Sequence, residues 1–68
     1  MKEQVLDFYV EHAGRMFRPV EVGRALGFTT HFTAVASGRL ANDGLIERHH
    51  LPVDGWQRPM TVYGCPQP

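Results

Sequence analysis

The run from Pro19 to Arg48 constrains this chain more than any other: two short helical patterns meet there at a tight break, and the second ends at a glycine followed at once by a β-type run. Pro19 suits the first turn of a helix, where its missing N–H is not needed and its fixed φ is already helical. Val22, Ala25 and Leu26 recur at helical spacing and give that helix one apolar side. Gly27 stands where a left-handed residue closes a helix, and Thr29 or Thr30 can cap the next one by accepting from free N–H groups of its first turn. A tight connection between two helices follows.

On the second helix the inward side carries Thr29, Thr33, Ala36, Leu40 and Asp43, with Phe32 at its edge. His31, Ala34, Val35, Gly38 and Asn42 fall on the far side, which is small-chained and nearly uncharged. Gly44 is the expected helix stop, and Leu45 and Ile46 are expected to pin a following strand to the core.

The segment Arg39-Leu40-Ala41-Asn42-Asp43-Gly44-Leu45-Ile46-Glu47-Arg48 resembles the Leu-x-x-x-Gly-Leu-Ile-x-Arg run with which many winged helix-turn-helix regulators leave their recognition helix and enter the first wing strand. The resemblance covers roughly residues 2 to 63. It implies an α+β, mainly α fold with three helices near 2–13, 19–27 and 30–43 and a small β-wing near 45–51 and 59–63. Residues 1–64 would form this domain and residues 65–68 a flexible tail. Thr33 and Ser37 depart from the pattern, since such helices usually place larger aliphatic residues there.

The flanking segments fit the same frame. In the first helix Leu6, Tyr9, Val10 and Ala13 make the expected buried stripe, while Phe8 and Val5 lie off it and are free to face a second subunit or the wing. Arg15-Met16-Phe17-Arg18 alternates basic and apolar, as a one-rung edge strand would. Asp54-Gly55 is a turn signal within a wing tip running from Pro52 to Pro59, and Met60-Thr61-Val62-Tyr63 is the returning strand.

Length and composition bound what remains. Sixty-eight residues make one domain with a small core. Such a domain buries only about 60% of its unfolded surface and gains from association, so a homodimer is expected. No apolar run approaches the ~20 residues needed to span a bilayer. The chain opens at Met1 on a polar helix pattern rather than on a basic-then-apolar leader, so a cytoplasmic protein without membrane contact is expected. Cys65, the single cysteine, excludes an internal disulfide and a cysteine zinc cage, and it has no basic neighbour to lower its pKa. His12, His31, His49 and His50 offer no i, i+4 pair, so no metal is expected. The chain also carries no Gly-x-Ser-x-Gly elbow and no phosphate-cradling glycine loop, so neither an enzyme nor a cofactor is expected.

The formal net charge is zero, but its distribution is uneven. Residues 14–42 hold Arg15, Arg18, Arg24 and Arg39 against Glu21 alone, a local charge of +3. The resemblance implies a regulator that binds double-stranded DNA in sequence-specific fashion, and the local charge agrees, because phosphate neutralisation drives such binding. Thr29, Thr30 and His31 open the proposed recognition helix with groups suited to a phosphate or a base edge. Ala34, Val35 and Gly38 are small enough to admit the backbone to the major groove, and Arg39 and Asn42 are long enough to touch a base or phosphate. Arg18 is a candidate phosphate clamp; Trp56 and Arg58, at the wing tip, are candidates for the adjacent backbone or minor groove. Glycine in mid-helix costs about 0.5–1 kcal/mol relative to alanine, so Gly38 is expected to be kept for close approach to DNA. The alternative function is a winged-helix adaptor that contacts a protein partner, for which zero net charge and the Ala34, Val35, Gly38 face are equally suited.

Overall fold

The computed structural model describes residues 2–52 and 60–67. Helices α1 (Lys2–Glu11), α2 (Pro19–Leu26) and α3 (Thr30–Asn42) precede strands β1 (Glu47–Leu51) and β2 (Met60–Gly64). The layout is α+β and mainly helical, consistent with a winged helix. Trp56, Arg58 and the Asp54-Gly55 turn lie outside the described residues.

Local chemistry sets the helix ends. Pro19 opens α2, and the Glu21 carboxylate accepts from the Arg18 backbone N–H at 2.8 Å. Gly27 closes α2 with φ of 78°, and the Gly23 carbonyl accepts from both Gly27 N–H (2.8 Å) and Phe28 N–H (2.9 Å). Thr29 then caps α3, its hydroxyl oxygen accepting from Phe32 N–H at 3.1 Å. One end carbonyl of α2 and one end N–H of α3 thus find their partners between Gly27 and Thr29, and the turn is correspondingly short.

Strands β1 and β2 form an antiparallel pair with Glu47 opposite Gly64 and Leu51 opposite Met60. The expected edge strand is present as one rung, in which Phe17 and Tyr63 exchange both backbone hydrogen bonds at 2.8 Å. That rung carries Phe17 into the core beside Val5, Tyr9, Val22, Ala36, Leu40, Ile46 and Tyr63. β1 starts later than expected, because Gly44 N–H and Leu45 N–H still bond back to the Ala41 and Leu40 carbonyls of α3. Ile46 alone pins the strand, while Leu45 is 49% exposed. Past β2, the Cys65 carbonyl accepts from Gly14 N–H at 2.8 Å.

The face of α1 is a correction. Val5 and Tyr9 are fully buried, Leu6 and Ala13 are half-buried, and Val10 is 53% exposed. The buried line is rotated because Phe17 supplies a second apolar surface beside α1. Phe8 packs on it edge to face, with ring centres 5.0 Å apart, and so faces inward rather than toward a second subunit.

Thr33 and Ser37, the departures from the usual pattern, are both fully buried. The Thr33 hydroxyl donates to the Thr29 carbonyl at 2.9 Å, and the Ser37 and Tyr9 hydroxyls share a hydrogen bond of 2.8 Å that ties α3 to α1. A short polar side chain at position 37 leaves room for the tyrosine ring that reaches it from α1. Burial pushes the Tyr9 hydroxyl above its ordinary pKa, outweighing the opposite pull of the Ser37 hydrogen bond. Because the folded state holds this proton more tightly, its contribution is intact below the ordinary tyrosine value of about 10 and is lost as pH rises toward the folded value. The melting temperature of the parent is therefore expected to fall between about pH 9 and about pH 11 more steeply than that of Tyr9→Phe. Equal slopes in thermal denaturation at the two pH values would show that the Tyr9 hydroxyl is not the group responsible.

Candidate nucleic-acid interface

Helix α3 is held along one line and open along another. Thr33, Ala36, Ser37 and Leu40 are buried, whereas Thr30, His31, Val35, Arg39 and Asn42 are exposed and Ala34 and Gly38 are half-buried. His31, Val35 and Asn42 recur at helical spacing and share one face, with Arg39 at its flank, whereas Thr30 lies on the side of the helix opposite Arg39. Val35, at its centre, is 42% exposed. No acidic residue occurs between Thr30 and Asn42. The capping of Thr29 leaves the Thr30 and His31 N–H groups at the exposed first turn, where the helix dipole favours an anion.

The arginines differ in how far their charge is already matched. Arg18 has its guanidinium 3.8 Å from the Glu21 carboxylate that also receives its backbone N–H, so part of its charge is balanced within α2. Arg15 lies over the Phe17 ring at 5.3 Å. Among the described residues, Arg24 and Arg39 are exposed without an acidic partner. Lys2 pairs with Asp43 at 3.7 Å, just past the end of α3.

Arg48 is the residue the sequence did not single out. Its Nη2 donates to the Gly38 carbonyl at 3.2 Å and to the Asn42 side-chain oxygen at 3.3 Å. The guanidinium also lies 5.6 Å from the centre of the Tyr63 ring, its cross-strand neighbour. A signal for it existed: with Ile46 buried just before β1, two-residue alternation puts residue 48 on the same side. The distance from β1 to α3 was the missing part.

Gly38 is accordingly not open to solvent as expected. A Cβ built there would meet Arg48 Nη2 at 3.5 Å and the Tyr63 hydroxyl at 4.0 Å, which are ordinary contacts. The backbone at Gly38 is regular helix, so Gly38→Ala is expected to raise stability by about 0.5–1 kcal/mol through helix propensity. A lower melting temperature in calorimetry would mean that the Arg48 contacts tolerate less than this spacing implies.

Thus the structure brings Thr29, Thr30, His31, Ala34, Val35, Arg39 and Asn42 onto one helix, with Arg18 on the turn before α2. A shallow recess of about 330 Å³ lies at the turn between α2 and α3, lined by Gly27, Phe28, Thr29 and Phe32. Its walls include the Phe28 and Phe32 rings, edge to face with centres 5.0 Å apart. Comparisons of the chain with protein-family models, with curated proteins and with solved structures find no match.

Proposed function

We propose that this protein binds double-stranded DNA through the exposed face of α3, as a winged helix-turn-helix transcriptional regulator. One observation carries the reading: α3 presents a face from His31 to Asn42 that is free of acidic residues, flanked by Arg39 and narrow at Ala34 and Gly38. Such a face has the shape and charge to enter a major groove, and the pairing of β1 with β2, tied to α3 through Arg48, supports contact of the strands with the flanking backbone. The role is one of binding rather than catalysis. It belongs to the cytoplasm, and among the described residues no helix is long and apolar enough to cross a membrane.

Association into a homodimer over a two-fold site is part of the proposal. The small core and the exposed Met16, Leu45 and Leu51 side chains support it. Sedimentation that finds only monomer at working concentration would remove it.

The decisive measurement is binding to random duplex DNA at about 50 and about 200 mM salt, where each neutralised phosphate contributes a slope of about −0.9 in log affinity against log salt. Tight binding at low salt that weakens steeply is expected. Absence of binding at low salt, or affinity independent of salt, would overturn the reading. In that event the recess lined by Phe28 and Phe32, together with exposed Val35, favours the second one, a module that docks an apolar protein segment.

A further inference from the structure

Asn42 ends α3 on its exposed face, and its amide is not free to turn. Arginine has donors and no acceptor, so a side-chain amide bonded to a guanidinium must direct its oxygen toward it. Arg48 Nη2 has two N–H groups. One is given to the Asn42 oxygen at 3.3 Å, the other to the Gly38 carbonyl at 3.2 Å. The guanidinium is held as well by the Tyr63 ring 5.6 Å away, and its Nη2 lies 3.5 Å from where a Cβ at Gly38 would stand, so a longer side chain there would meet it. With its oxygen engaged, Asn42 offers its NH2 group to whatever approaches α3.

We propose that Arg48 is a positioning residue for the DNA-binding face, fixing the Asn42 amide so that its NH2 group donates to a backbone phosphate oxygen. This rests on the DNA-binding reading and deepens it. Arg48 gives both N–H groups of Nη2 to Gly38 and Asn42, so in this proposal the contact to DNA is made by Asn42, a neutral donor, and Arg48 acts through it. A small residue at position 38 is then required on this face, because a side chain longer than a methyl group would meet the guanidinium.

The test is a double-mutant cycle on random duplex DNA, with circular dichroism melts verifying the fold of each variant. Gly38→Leu puts a side chain where the guanidinium lies without changing the charge, and Arg48→Met removes the guanidinium altogether. Each is expected to weaken binding roughly fivefold beside Asn42, and less than roughly twofold in an Asn42→Ala background, because the hydrogen bond they orient is already gone. Arg48→Met is also expected to leave the salt slope unchanged. Losses that multiply independently of residue 42 overturn the proposal, as does a slope reduced by about one, which would place Arg48 itself on a phosphate. If Gly38→Leu fails to fold, Arg48→Met carries the cycle alone, since Arg48 is exposed and its loss leaves the core intact. A parent protein that does not bind duplex DNA at low salt removes the DNA-binding reading and this inference together, whereas a binding parent without coupling removes only the inference.

Discussion

Gly23→Val is expected to destabilise the protein by about 3 kcal/mol, the upper end of the ordinary cost of overpacking. Even a single Cβ at position 23 would meet the Phe28 carbonyl oxygen at 2.8 Å and the Thr33 hydroxyl at 3.0 Å. Neither neighbour can yield cheaply. The Phe28 carbonyl belongs to the backbone of the turn, and the Thr33 hydroxyl is bonded to the Thr29 carbonyl in the cap of α3. Relief therefore requires α2 and α3 to separate, and their packing is what orders the candidate interface. A domain of this length has a total stability of only about 3–10 kcal/mol, so the variant is expected to be partly unfolded at room temperature. Thermal denaturation should register a fall of roughly 10–20 °C. A fall of less than about 4 °C would mean that the turn accommodates the side chain and that α2 and α3 are not locked at Gly23.

Val35→Glu is expected to lower affinity for duplex DNA by roughly a hundredfold while leaving the melting temperature nearly unchanged. Val35 is 42% exposed and belongs to no packed cluster, so folding does not depend on it. In the proposed complex, however, a carboxylate at the centre of α3 would be desolvated against phosphates. The matched comparison is Val10→Glu, the same change of charge on α1, where the side chain is 53% exposed. That variant should lose only the few-fold affinity due to altered net charge. Equal losses in the two variants would show that charge alone is being read and that α3 has no privileged position. Unchanged affinity in Val35→Glu would remove the helix face from the interface.

How much of this was readable beforehand differs from residue to residue. Pro19, Gly27 and Thr29 act through atoms a few positions away in the chain, and the structure uses each as its chemistry suggests. The inward line of α3 was legible in Thr33, Ala36 and Leu40, because helical period alone assigns a face once one buried residue is known. The face of α1 was not. Its apolar residues surround too much of the helix for period to choose between Val5 and Val10, and the choice fell to Phe17, which arrives from a different segment. The exposure of His31, Val35 and Asn42 on α3 was legible for the same reason that its core line was: the outward face is the complement of the inward one.

Sequence alone thus determined the order of the elements, the start and end of α2 and the start of α3, since caps, prolines and left-handed glycines operate within one turn of the chain and need no partner. Tertiary structure decided the rest through contacts between distant residues. It made Thr33 and Ser37 core residues by giving their hydroxyls the Thr29 carbonyl and the Tyr9 hydroxyl as partners, without which burying them would be costly. It turned Phe8 inward onto Phe17. And it set Arg48 against Gly38 and Asn42, because a guanidinium finds its acceptors by distance in space, and the approach of β1 to α3 is a property of the packed whole.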